Sequence, residues 1–169
     1  MSFKSVICIS VLLLTAACGW TPVYLKTEQN ASVVDETAQI RVARVPEETG
    51  RILVRTLNSN LNPDNTDVPK KYELSIHLSE TVNSDQGILG DNTATRATMR
   101  LTAAYTLKDL SSQQVLLSDT AYTVSSYNIL TAPYATLTAE QTTRRRLAEL
   151  LADSIALRMA NYFKGKQKP

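Results

Sequence analysis

Arg96 and Arg100 stand four apart in the segment 93–107, which alternates apolar or small residues with polar ones. In an extended chain both guanidinium groups project from one face, about 13 Å apart by the strand rise. Two planar cations at that spacing, set among small hydroxyl side chains, can clamp phosphate oxygens. A plain polar sheet face fits the same pattern. The run Arg144-Arg145-Arg146 has two readings as well. It is a solvated helix stripe paired locally with Glu140 and Glu149, or a contact for an acidic partner or lipid phosphate. Other residues with chemical potential are sparse. His77 falls on the polar side of a predicted strand, with no Cys, Asp or Glu at metal-ligand spacing, so no metal site is expected. No nucleophile-elbow sequence supports Ser-His-Asp catalysis, and no glycine motif cradles a phosphate. Glu47-Glu48 reads as a helix start rather than a catalytic pair. Neither an enzyme nor a cofactor is expected.

The cysteines carry a different chemistry. Met1–Lys4 is a short segment with one lysine, Val6–Leu14 is a compact apolar run, and Thr15, Ala16 and Ala17 are small. That is the layout of a secretory leader, so residues 1–17 read as a signal peptide. A spanning helix needs about 20 apolar residues, and this run is shorter. Cys8 lies inside the leader, so a mature chain keeps one thiol, Cys18, and forms no internal disulfide. Leu14-Thr15-Ala16-Ala17-Cys18 resembles the bacterial lipobox, with Thr15 where leucine is commonest and Leu14 one place early. The resemblance implies lipid attachment at Cys18, and several acyl chains on one residue give a stable anchor. An ordinary signal peptide with a chance cysteine is the other reading. Gly19 follows the cysteine where inner-membrane retention uses aspartate, which implies the outer membrane as the address.

The rest of the chain must supply a scaffold. About 150 residues remain after the leader, the size of one domain. Hydrophobic residues make up 43% of the chain, enough for a core. The formal charge is +2, with Lys4 in the leader, so there is no concentrated basic face for nucleic acid. Residues 18–37 read as a lipidated tether, in which Trp20 and Tyr24 suit a headgroup layer or the domain edge. A strand is expected over Gln39–Val45 and a helix over about Pro46–Asn60, with Ile52, Leu53, Leu57 and Leu61 at helical spacing. Strands follow at Tyr72–Val82, Thr93–Leu107 and Val115–Ser125, with a glycine loop between the first two. Tyr127–Leu137 reads as irregular. Thr138 with Gln141 reads as a capping box for a helix over Ala139–Phe163, whose stripe is Leu147, Leu150, Leu151, Ile155, Met159 and Tyr162. The expected fold is α+β: a two-layer sandwich in the order β-α-β-β-β-α, a four-stranded mixed sheet with two helices on one face. One domain spans 38–163, and a basic tail spans 164–169.

Two stretches carry a more specific signal. Ala17-Cys18-Gly19-Trp20-Thr21-Pro22-Val23-Tyr24 resembles the opening of the LPS-assembly lipoprotein family LptE, especially its alphaproteobacterial branch. Ser126-Tyr127-Asn128 followed by Pro133-Tyr134-Ala135 is similar to the same family. The resemblance implies an outer-membrane, periplasm-facing lipoprotein that plugs the β-barrel LptD of the lipopolysaccharide translocon, assists its assembly and contacts lipopolysaccharide. A plug in a wide polar lumen needs a hydrophilic outside, which the Thr/Ser/Arg face supplies. Family members carry basic side chains in the loop before the third strand and in the segment before the last helix. Gly87–Asp91 and Ile129–Ala132 here contain no Lys or Arg, which moves any lipopolysaccharide contact toward Arg96 and Arg100. Ile88 and Leu89 offer an apolar loop tip instead. A periplasmic lipoprotein serving an inner-membrane lipid exporter is the alternative.

Overall fold

The structure is a computed structural model, and it describes residues 28–88 and 94–166. The leader, Cys18, Trp20 to Tyr24, Leu89 to Asp91 and Lys168 lie outside the described residues. The described elements are α1 (Glu28–Ala38), β1 (Ile40–Val42), α2 (Glu47–Leu61), β2 (Tyr72–Ile88), β3 (Ala94–Asp109), β4 (Val115–Asn128) and α3 (Pro133–Lys166). The sheet order is β1-β2-β3-β4. β1 runs parallel to β2, and the other two pairs are antiparallel. The expected four-stranded mixed sheet with helices on one face is present. A parallel pair requires a crossover, and α2 provides it.

Alternation decides the faces. Leu74 on β2, Met99, Leu101, Ala103, Tyr105 and Leu107 on β3, and Ala121 on β4 are buried beneath the helices. Leu53, Leu57 and Leu61 of α2 meet Leu147, Leu151, Ile155 and Met159 of α3 in the same cluster. Each such side chain withdrawn from water contributes about 1.5–3 kcal/mol. α3 also buries Ala148, Ala152, Ala156 and Ala160 at four-residue intervals. These small residues let neighbouring backbone approach where leucines would hold it off. Leu150, expected in the buried stripe, is 45% exposed.

Several element bounds differ from the sequence reading. Residues 28–38, expected as tether, form α1, which packs on α3 and α2 and buries Val33, Thr37 and Ala38. Lys70 Nζ donates to the Ala38 carbonyl at 2.7 Å, a cation on the last turn of α1. The Tyr72 hydroxyl donates to Glu36 at 2.9 Å, and its ring lies 5.1 Å from that of Phe163, tying α1 and α3 to the start of β2. Burial, then the Glu36 carboxylate, pushes the Tyr72 hydroxyl up to about 12. The strand expected over Gln39–Val45 keeps three residues, Ile40–Val42. The final helix starts at Pro133, not Ala139. Proline suits a first helical position because it has no N–H to satisfy. Thr136 Oγ1 accepts from the Leu130 N–H and donates to the Leu130 carbonyl, which fastens the entry. Thr138 donates back to the Tyr134 carbonyl inside the helix, so it does not cap the N-terminus. At the other end α3 continues to Lys166, so the first residues of the expected basic tail are helical, and Lys166 lies over the Tyr162 ring.

Candidate interaction surface

The sheet face opposite the helices carries the candidate residues. Register places them in rows across β2, β3 and β4: Gln86–Arg96–Asn128, Asn83–Thr98–Ser126, Thr81–Arg100–Val124, Ser79–Thr102–Tyr122 and His77–Ala104–Thr120. Arg96 and Arg100 are both exposed on this face, as the alternation predicts. Neither is paired with a carboxylate among the described residues. The Arg100 guanidinium carbon sits 4.6 Å from the centroid of the Tyr122 ring, a diagonal cross-strand pair. Tyr122 is 61% exposed. Sequence reading missed its role, although alternation along β4 sets it on one side with Ser118 and Thr120. Between the arginines, Thr98 and Ser126 share a hydroxyl hydrogen bond of 3.0 Å. The result is two cations, one aromatic plane and a field of hydroxyls on a rigid sheet. Such a surface can hold anionic oxygens and stack a ring.

Farther along the face, small side chains leave a shallow depression of about 550 Å³ lined by Ser75, His77, Ala104, Thr106, Ser118 and Thr120. His77 is exposed there. The carboxylate nearest in sequence to these hydroxyls, Asp119, belongs to the helix side. It accepts from the buried Tyr105 hydroxyl at 3.1 Å and is ion-paired to Arg158. The Thr120 N–H, first, and Arg158 hold it below the usual carboxylate range. Asp119 also borders this depression, but its carboxylate is engaged by Tyr105 and Arg158, and no hydrogen bond joins it to His77 among the described residues. Among the described residues no group of three or more His, Cys, Asp or Glu could hold a metal ion.

The Arg144–Arg146 run divides. Arg144 bridges Glu80 on β2, at 2.8 Å from two of its guanidinium nitrogens, and Glu140 one turn earlier, at 2.6 Å. These partners, Glu80 first, raise its proton affinity above the ordinary arginine value. It clamps the first half of α3 to the sheet. Arg145 and Arg146 are exposed. Of the expected local partners, Glu140 takes part and Glu149 does not. No helix of the described residues is long and apolar enough to cross a membrane.

Solved structures share this architecture. A lipoprotein of Caulobacter crescentus CB15 superposes with a TM-score of 0.63 at 22% identity, covering 80% of this chain and 98% of that one. A minor lipoprotein of Acinetobacter baumannii gives 0.57 at 18% identity, over 73% and 92% of the two chains. Rare lipoprotein B of Shewanella oneidensis gives 0.56 at 12% identity, over 72% and 92%. At these identities the likeness is one of fold. A search of curated proteins returns no match in sequence. The sequence itself matches the model described as LptE, lipopolysaccharide-assembly, over residues 20–159, a span that contains both strands of the arginine–tyrosine surface and most of the helical layer. On that match, which covers well over half of the chain, the protein belongs to the LptE lipopolysaccharide-assembly family.

Proposed function

We propose that this protein is the lipoprotein subunit of the outer-membrane lipopolysaccharide translocon, held to the bilayer by acyl chains on Cys18 and seated in the lumen of the barrel LptD, whose assembly it assists. The family match over residues 20–159 carries this reading. The physical character of the domain supports it. A plug in a water-filled barrel must be compact, with an apolar core and a hydrophilic outside. Here the core side chains are gathered under the helices, and the opposite sheet face is mainly hydroxyls and amides with Arg96, Arg100 and His77, interrupted by the exposed Tyr122 and Val124. In this reading Arg96 and Arg100 meet lipopolysaccharide phosphates.

Purification of the native lipoprotein from solubilised outer membrane tests the proposal. A large barrel recovered in stoichiometric amount is the expected outcome. Recovery as a free lipoprotein, or with partners from the inner membrane, would replace this reading with that of an accessory to an inner-membrane lipid exporter. Mass spectrometry of the mature N-terminus checks the anchor: a diacylglycerol-bearing Cys18 is expected, and an unmodified thiol would remove it.

A further inference from the structure

The two borders of the sheet are finished differently. On one side β1 is three residues long and is followed by Arg44 and Pro46, with Arg41 ion-paired to Glu73. Short length, charge and proline are the usual means of keeping an edge from pairing with another chain. On the other side β4 runs for 14 residues, with no proline, no glycine and one charged residue, Asp119. No further strand pairs with β4 among the described residues.

Hydrogen-bond phase tells which of its backbone groups face outward. The Ile129 N–H donates to the Thr95 carbonyl, and the β3–β4 register is unbroken from Arg96↔Asn128 to Leu107↔Leu117. In an antiparallel ladder, residues alternate between those that bond the partner strand and those that face away from it. Odd-numbered residues of β4 therefore bond β3, and Ser118, Thr120, Tyr122, Val124 and Ser126 turn their N–H and C=O to the open border. Thr120 is closed off: its N–H donates to Asp119 at 2.7 Å and its carbonyl accepts from Arg158 at 3.3 Å. No described group bonds the backbone of Tyr122, Val124 or Ser126 on this side.

We propose that Tyr122–Ser126 is a strand-addition site, taking an extended, uncharged segment of a partner polypeptide in which apolar and small polar residues alternate. Three observations select that occupant. From Ala121 to Asn128 the border holds no charge, so it matches an uncharged strand. The open-face neighbours of an added strand are Ser126 and the exposed Tyr122 and Val124, beside a field of hydroxyls, which suits polar side chains on that side. On the other side lies α3. Thr123 Oγ1 donates to the Leu147 carbonyl, which sets that turn of α3 over the middle of β4. That side of β4 is sheltered: Ala121 is buried, and Thr123 and Ser125 are half-buried. Apolar side chains of an incoming strand would lie beside these residues on the helix side and leave water there. Alternation of this kind, over about ten residues, is the pattern of a membrane-barrel strand. The inference thus names a contact by which a subunit could hold an unfinished barrel chain, and its biological setting, though not its chemistry, rests on the function proposed above.

The test uses the mature lipoprotein in detergent and a labelled peptide of about ten alternating valines and threonines. Fluorescence anisotropy reads binding. Val124→Pro removes an outward N–H without touching the β3 ladder, and Val124→Lys places a charge on the border. Both variants are expected to bind about tenfold more weakly, Val124→Pro through the loss of an interstrand hydrogen bond and Val124→Lys through a charge set against an uncharged strand. Thr102→Lys, which adds the same charge to the open face away from the border, is expected to bind as the parent does. No binding by the parent protein, or equal binding by both Val124 variants with native circular dichroism, would overturn the proposal. So would a concentration-dependent dimer of the parent that Val124→Lys abolishes while peptide binding is absent, which would assign the border to a second copy. Barrel co-purification is scored separately. Barrel retained by a Val124 variant that has lost the peptide leaves the proposed function standing and removes this site from it; peptide bound with no barrel recovered does the reverse.

Discussion

Replacing Gly50 by alanine should destabilise the protein, against the usual gain from that change in a helix. Gly50 lies in the first turns of α2, and alanine is favoured there by about 1 kcal/mol on intrinsic propensity. A Cβ built on Gly50, however, would stand 2.6 Å from Val45 Cγ1, 2.9 Å from Val45 Cβ and 2.9 Å from the Val45 carbonyl oxygen. Real Cβ atoms do not approach that closely, and two of the three obstacles are not the tip of a flexible side chain. Val45 is itself 3% exposed, so it has little room to retreat. Forcing extra volume into a packed site costs about 1–3 kcal/mol or more. The clash outweighs the propensity gain, and a net loss of about 1–2 kcal/mol is expected. For a domain of this size that is a fall of several degrees in melting temperature. Thermal unfolding of the mature chain followed by circular dichroism measures it. Adding Val45→Ala removes Cγ1 but leaves Cβ and the carbonyl, so the double mutant should recover part of the loss as a coupling of about 0.5–1 kcal/mol. A Gly50→Ala melting temperature equal to or above that of the parent would refute the reasoning. Strict additivity of the two changes would show that Val45 is not the obstacle.

Arg144→Gln should cost about 1 kcal/mol by releasing Glu80 and Glu140, and the penalty should shrink in high salt because all three side chains are partly exposed; a salt-independent loss would point to packing instead. In the β3–β4 turn the Ser111 side chain, then the backbone N–H groups of Ser112 and Ser111, hold the Asp109 carboxyl down to about 2. Its folded value is below its unfolded one, so its contribution is complete above about pH 4 and is lost as pH falls toward 2. Asp109→Asn should therefore flatten the acid limb of a pH–stability profile, and an unchanged limb would contradict this. Arg96→Ala with Arg100→Ala should weaken lipopolysaccharide binding about tenfold or more at low salt, less as salt rises, with the melting temperature kept. Equal binding by the double mutant would end that assignment.

Much of the framework was legible from periodicity. The three long strands, their polar and apolar faces, and the leucine stripe of α2 follow from alternation at two and at 3.6 residues. Arg96 and Arg100 were readable as neighbours on one face for the same reason. α1 was not, because Glu28–Ala38 offers few apolar positions, and Val33 becomes a core residue through contact with α3 rather than through local pattern. The start of α3 was misplaced because the Thr138–Gln141 spacing imitates a capping box, whereas Pro133 and the Thr136–Leu130 hydrogen bonds set the entry. Leu150 was assigned to the core on spacing alone, although the buried stripe runs through Leu147, Ala148, Leu151, Ala152 and Ile155 and leaves position 150 outside it. Tyr122 could be placed on its face, but its approach to Arg100 depends on the register between two strands, which no single segment encodes.

Four residues of α-helix turn through about 400°, so a contact repeated every four advances about 40° around the axis at each step. The ladder from Ala148 to Ala160 therefore winds along α3, addressing different neighbours at its two ends. A single inserted or deleted residue inside that span would rotate everything beyond it by about 100°; a deletion between Ala148 and Ala152, for example, would set the Asp153 carboxylate where the Ala152 methyl group now nests. Length variation in relatives of this chain should accordingly be confined to the outer turns of the helix and to the loops, while the spacing between those four alanines stays constant.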